Sequence, residues 1–556
     1  MNNEIQPKPK SVATPTATGA TPPAQANNGR EGQWAEGLNE FDENLAQNSI
    51  GETKSKLPQV IIPGDATTIT ESAESLFKEI VPFKQLFYRG GVVVDLRQEG
   101  AEYEMEVLDA VTAQSRFEKY VQFVKANKKG QGCKHAIISE AIAKQYLKSD
   151  ACRSLLPKLN GILHCPLIVE KKDGTLHRAG QGYDDVSGFF IAASKPVSKV
   201  NLEEAVQYMT KILEDFDFVT PGDRSRAIAS LITPALKLGG FIKGPVPVDV
   251  AEADVSQSGK TYRQKLVAGL YNQKMAVVTK KGGGVGSMEE TFNDHLIKGK
   301  AFIQFDNVRG KLDSHFLEAF ITADGTFSAR VPYCGSVAVD PSKFMLFISS
   351  NGFETTEDLA NRASIIRIRK REHHQYQNYK GQDILQLTSS WQSLFVGALF
   401  TIVEEWHRQG KPKTNETQHD FKEWCQSLDW IVQNIFKEAP LMDGHAEAKQ
   451  RAASPQMSFL RMVAVKLGPR QKLDQALSAS EIASICMDEN IDIPGLMPGT
   501  KADEQAPMQI GRILGSLFKD QPEVVLDDFK VVKSQERVTN DKGNHQTMNK
   551  YLFSHA

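Results

Sequence analysis

The spacing of apolar residues along this chain changes several times, and each change predicts an element. From about residue 70, "ESLFKEIVPFKQLFYRGGVVVDL" joins helical spacing to a Gly-Gly turn and the β-branched run Val92–Val94. With "YEMEVLDAV" behind it, this predicts a small α/β unit. "SRFEKYVQFVKAN" and "ISEAIAKQYLKSDACRSLL" carry helical spacing. "NGILHCPLIVEKKDGTLHRAGQGYDDVSGFFIA" breaks into short strands, with Asp173-Gly174 as a hairpin signal. "VNLEEAVQYMTKILEDFDF" and "SRAIASLITPALKLGG" return to helix, the second opened by Asp223 as N-cap. Between 245 and 371, strand and helix patterns alternate, the signature of an α/β core. The cluster "RIRKR" (367–371) alternates charged and apolar residues, as an edge strand with solvated charges would. "WQSLFVGALFTIVEEWHRQG" reads as an amphipathic lid-like helix, and helices continue over 421–470. The chain ends helix, helix, strand, strand, the order of a winged helix, with "VTNDKGNHQ" as its wing.

These patterns predict a disordered tail (1–58), an N-terminal α/β region (59–215) and an α/β core (216–380). A helical extension (381–455) and a winged-helix-like domain (456–556) follow. The tail is rich in Pro, Thr, Ala, Asn and Gln and too poor in large apolar groups to offset chain entropy. The chain has 556 residues, 40% hydrophobic and 24% charged, enough for several cores. A net charge of −2 gives no global basic field, so any nucleic-acid surface must be local. The 6 cysteines are scattered without a C-x-x-C pair, which argues against a zinc ribbon and for reduced thiols. The sequence has no apolar run of about 18 residues, which predicts a soluble, cytoplasmic chain with no membrane partner.

The candidate chemistry starts at "ADVSQSGKT" (253–261). A phosphate-binding loop follows Gly-x4-Gly-Lys-Ser/Thr between a strand and a helix. Gly259, Lys260 and Thr261 fit, "VPVDVAEA" supplies the strand and "YRQKLVAGLYNQK" the helix; the first glycine position holds Asp254. Backbone N–H groups of Ser256, Gln257, Ser258 and Gly259 and the helix dipole would hold an anion. Lys260 would contact the terminal phosphates of ATP, and Thr261 would support Mg²⁺. "KGKAFIQFDN" is an apolar strand ending at Asp306, placed to hold the Mg²⁺ water shell. "SKFMLFISSN" ends at Asn351, placed to orient attacking water, and Arg362 follows in "DLANRAS" as a cation for a neighbouring subunit's γ-phosphate. Singly, Asp306, Asn351 and Arg362 fit a strand-end turn, a turn former and a surface arginine. Their shared order makes a nucleotide site the better reading.

"LLPKLNGILHCPLIV", "DGTLHRAGQGYD", "SGKT", "FITADGTFSARVPYCGSVAVDPSKFMLFISSN" and "LANR" resemble the helicase part of phage- and plasmid-encoded primase-helicases. These are superfamily three, AAA-plus-related ATPases. The resemblance spans about 150–440, including "FKEW" (421–424), and no primase catalytic domain is recognised before it. It implies an AAA-plus-like P-loop ATPase core in a hexameric homo-oligomer moving on DNA during replication of a mobile element, with a separate primase as partner. Lys260 and Thr261 fall on its phosphate-loop positions, Asp306 on its magnesium aspartate, Asn351 on its sensor and Arg362 on its arginine finger. Two residues depart from it. Asp254 replaces a glycine, and Asn307 stands where many such ATPases place a glutamate that polarises water; Asn orients water but takes no proton. Glu289, Glu290 and Glu318 are the candidate substitutes.

Two stretches of the core offer DNA contacts. Lys280 and Lys281 precede a glycine run in "TKKGGGVGSMEE", a pattern that equally fits a solvated surface loop. "ARVPYCGSVAVDP" predicts a hairpin carrying Arg330 and, at its tip, Tyr333. Arg512 and Lys519 fall on the winged helix's reader helix, and Lys533, Arg537 and Lys542 in its wing. Residues 501–556 nevertheless balance 8 Lys/Arg with 8 Asp/Glu, so the domain's field is neutral. The first reading is therefore an ATP-dependent helicase on single-stranded DNA. The second is a nucleotide-switched initiator or regulator that binds an origin duplex, consistent with Asp254 and Asn307.

Overall fold

A computed structural model describes residues 57–556 except 101, 127–131, 193–194, 254–256, 280–285, 309, 332–334, 372–382, 497–501, 520, 527 and 540–544. The chain divides into Met1–Leu57 and Pro58–Ala556, and every element below belongs to the second unit. The predicted tail lies outside the described residues but for its last two positions.

A 6-stranded sheet organises the fold, in the spatial order Asp217–Phe218, Ala363–Arg369, Val248–Ala253, Met345–Asn351, Phe302–Val308, Ala276–Val278. All its neighbours pair in parallel except Asp217–Phe218, which joins the edge antiparallel. Parallel strands buried on both faces need near-continuous apolar runs, and "VDVAEA" is buried at every position. Helices Pro221–Leu238 and Lys260–Leu270 pack into the same core, which draws residues from Leu163 to Ala452. Asp173 and Gly174 lie in the turn of an antiparallel pair, Leu167–Glu170 with Leu176–Ala179, as expected.

Three expectations change. Helix Pro221–Leu238 starts earlier than its apolar spacing suggests: Thr220 is the N-cap and Asp223 sits at the third position of a capping box. Residues 122–126, expected in a helix, form a strand paired in parallel with Gln59–Ile61 and antiparallel with Cys133–His135. The helix of "SRFEKYVQFVKAN" ends at Phe117, and the aromatic and β-branched residues that follow bury Phe123 and Val124 in a separate N-terminal core. "RIRKR" is not an edge: Ala363–Arg369 lies inside the sheet, and Arg367 is 2% exposed. Its charge is balanced by the equally buried Asp223, 3.1 Å away.

The N-terminal strands Leu86–Arg89, Val92–Glu99 and Glu102–Val107 form a meander that docks on the core. Arg89 donates to the carbonyls of Leu296 (2.9 Å) and Ile297, at the end of helix Met288–Ile297. Ala338 N–H donates to the Gly90 carbonyl at 3.0 Å. No side chain fits at Gly90, where a Cβ would lie 1.9 Å from the Ala338 oxygen. At the other end, helices Ala479–Asp488 and Ala502–Leu517 cover an antiparallel sheet. Its strand order is Ala476–Leu477, His545–His555, Phe529–Thr539, Glu523–Leu526. No described helix is long and apolar enough to cross a membrane.

Candidate functional site

The site lies at the carboxyl ends of the three middle strands of the sheet, where a parallel sheet exposes its loops. Strand Val248–Ala253 leads towards the loop; Asp254 and Ser256 fall outside the described residues. The chain is next seen at Gln257 with φ +62°, then Ser258, then Gly259 with φ +92° as N-cap of helix Lys260–Leu270. Two left-handed residues this close together turn the backbone sharply, and glycine takes the more extreme value without steric cost. Gly259 gives the helix no side-chain cap. The positive end of the helix dipole at this N-terminus favours an anion. The Ser258 hydroxyl is buried with no hydrogen-bond partner among the described residues. A buried hydroxyl beside a helix N-terminus fits a phosphate oxygen.

Four expected side chains, spread over 91 positions, meet here. Lys260 Nζ donates to Asn351 Oδ1 at 2.6 Å. The Thr261 hydroxyl donates to Asp306 Oδ1 at 3.1 Å. Sheet register enforces the meeting, because Ala253 pairs with Asn351 and the Asp306 strand runs beside the Asn351 strand. The Thr261 and Asp306 oxygens form a hard donor set of the kind Mg²⁺ takes, with phosphate and water supplying the remainder.

The sequence reading missed one member. Ser349 donates its hydroxyl to Asp306 Oδ1 at 2.7 Å and accepts the Asn307 N–H at 2.8 Å. The available signal was its place two residues before Asn351, on the same face of the strand. Nor does the strand end at Asp306: it runs to Val308, with a register shift between Phe305 and Val308 and Asn307 at φ +52°. Asn is among the residues that best tolerate this region. The local backbone thus gives Asn307 a role that its side-chain chemistry did not reveal.

Other expected residues lie apart. Arg362, at the C-cap of Glu357–Asn361, pairs with Asp358 at 3.4 Å. Of the candidate substitutes for a glutamate, Glu290 accepts the Gly286 N–H at 2.6 Å and Glu318 accepts the Thr356 hydroxyl at 2.5 Å, while Glu289 is exposed. Arg330 is exposed on Phe327–Val331, which pairs with Gly335–Val339 as the expected hairpin. Lys280, Lys281, Tyr333 and Lys542 lie outside the described residues. Arg512 is exposed on its helix, whereas Lys519 lies beyond the helix end at Leu517 and is not part of it.

No family model and no curated protein matches the chain. Among solved structures, it is similar to the apo NrS-1 C-terminal region at 12% identity, over 86% of this chain and 98% of that one, with a TM-score of 0.35. The SCCmec type IV Cch active helicase aligns at 11% identity over 84% of this chain and 91% of that one, TM-score 0.31. JCV helicase aligns at 11% identity over 46% and 73%, TM-score 0.20. Two of these three structures bear the name helicase, and the present fold is mixed α/β; at these scores the likeness carries no argument.

Proposed function

We propose that this chain is an ATP-dependent DNA helicase or translocase built on an AAA-plus-like P-loop core, acting as a hexameric ring in replication of a mobile element. The observation that carries the reading is the convergence of Lys260, Thr261, Asp306 and Asn351 at the N-terminus of the helix that follows the loop. Lys260, now on Asn351, would turn to the β- and γ-phosphates of ATP. Thr261 and Asp306 would hold Mg²⁺, which neutralises charge on the phosphates when bound. Ser349 holds the Asp306 carboxylate in place, and Asn351 orients the attacking water. The buried Ser258 hydroxyl would receive a phosphate oxygen.

In the ring, Arg362 would exchange Asp358 for the γ-phosphate of the neighbouring subunit, a swap that an exposed carboxylate such as Asp358 resists little. Arg330 on its hairpin and Arg512 in a winged-helix domain (456–556) would contact DNA phosphates. The test of this assembly is subunit doping. Arg362→Ala subunits mixed into wild type should depress hydrolysis more than their fraction of the mixture. Activity falling only in proportion to that fraction would remove Arg362 from the neighbour's site.

One observation favours a second reading, a nucleotide-switched initiator. Beside Asp306 stands Asn307, and Glu290 and Glu318 are hydrogen-bonded elsewhere. A site poor in proton acceptors binds ATP and hydrolyses it slowly. A protein that binds ATP and a defined duplex without separating strands would match it.

A further inference from the structure

The turn that follows Asn351 is held from behind by a buried ion pair. Glu252, one residue before the end of strand Val248–Ala253, is 1% exposed. Its Oε1 accepts the Phe353 N–H at 2.9 Å, and its Oε2 takes the guanidinium of Arg451, equally buried, from helix His445–Ala452. The next residue of that helix, Ala452, accepts the Thr355 N–H at 2.9 Å. The Thr355 hydroxyl donates to the Leu312 carbonyl at 2.8 Å, and Leu312 N–H donates to the Glu354 carbonyl at 2.8 Å. Gly352 makes the bend at φ +71°, with Met462 packed where a Cβ would point. Met462 belongs to helix Pro455–Leu467, which opens the C-terminal core. Burying two charges is costly, and hydrophobic replacement of such a pair is often neutral or better for stability. A role in stability alone is therefore a weak account of it. What the pair does by geometry is fix one backbone N–H two residues after Asn351.

We infer that Arg451 is a positioning residue for hydrolysis: by holding Glu252 on the Phe353 N–H it sets Asn351 at the nucleotide site, and it ties that site to the C-terminal domain. The inference rests on the nucleotide-site reading above. Helix His445–Ala452 passes directly into helix Pro455–Leu467, so a displacement of the C-terminal domain on DNA would reach Asn351 through Arg451.

The test is a double-mutant cycle on steady-state ATP hydrolysis, using the full chain with single-stranded DNA. Glu252→Met with Arg451→Met removes both charges and strands neither. This pair should lower kcat about tenfold with KM changed less than about twofold, since a displaced positioning group costs rate rather than binding. In an Asn351→Ala background the same pair should lower kcat by less than about twofold, because both changes act through one residue. A purely structural pair gives the same loss in both backgrounds, and that result overturns the inference. Arg451→Lys, which keeps the charge but not the fork, runs the same cycle with a smaller effect if the methionine pair does not fold. No turnover in wild type, or an Asn351→Ala variant as fast as wild type, overturns the site reading and the inference with it. Additivity beside a slow Asn351→Ala overturns the inference alone.

Discussion

Two polar clusters lie on the same sheet and use charge in opposite ways. In one, Asp223, Arg226 and Arg367 are 0%, 0% and 2% exposed. Arg226 spends its donors on Asp223 (2.6 Å) and on the carbonyls of Ile365, Leu441 and Asp443, and Asp223 also accepts from Thr220. Burial alone would raise the Asp223 pKa; Arg226 and Arg367 outweigh it and hold the carboxyl below its ordinary range. In the other cluster, Lys260, Thr261, Asp306 and Asn351 are partly exposed, their helix has no side-chain cap, and the buried Ser258 hydroxyl beside them has no hydrogen-bond partner among the described residues. The first cluster is fully buried and positions helix against strand. The second lies partly exposed at the carboxyl ends of the strands, where a ligand can reach it. Access, not charge density, separates a strut from a site here.

The largest effect expected is on the buried cluster. Asp223→Ala leaves two buried guanidinium groups without their carboxylate and should cost about 3–5 kcal/mol of stability, read from urea unfolding. Nucleotide affinity of the molecules that remain folded should not change. If stability held and nucleotide binding fell, the roles of the two clusters would be reversed.

Acid probes the same region. His419 and His445 both lie on the Ala363 carbonyl, and burial pushes His419 down to about 4 and His445 well below its usual range. The unfolded chain protonates them near pH 6.5, the folded chain only far lower. Stability is therefore complete above about pH 6.5 and is lost as pH falls towards 4, on the order of 3 kcal/mol from His419 alone. His419→Gln should blunt that loss in thermal melts taken from pH 7 to 4. An unchanged acid limb would mean that His419 is protonated in the fold.

The partly exposed cluster should respond in rate and not in stability. Asp306→Asn should reduce ATP turnover about 100-fold, roughly 3 kcal/mol of transition-state energy, with a melting temperature close to wild type. A large melting shift would place Asp306 among the structural residues instead.

Parts of this were legible in the sequence. Asp306 and Asn351 each close an apolar run and Lys260 follows one through its loop, and a polar end to a near-continuous buried strand is conspicuous. The sheet alternation between 245 and 371 was legible for the same reason. The partners of buried charges were not. Arg451 lies 199 positions from Glu252, and Arg367 lies 144 from Asp223. Spacing rules cover neighbours on one element, so nothing local marks Arg367 as a core residue rather than a solvated one. Residues 122–126 went wrong because their pairing strand lies at Gln59–Ile61, and that long-range contact overrides a local helical pattern.

The most direct test of the central claim is steady-state ATP hydrolysis by wild type and Lys260→Ala, each with and without single-stranded DNA. Turnover in wild type should rise with DNA and be lost in Lys260→Ala, while both proteins melt together. Equal turnover in the two proteins, or none in wild type despite bound ATP, would contradict that claim.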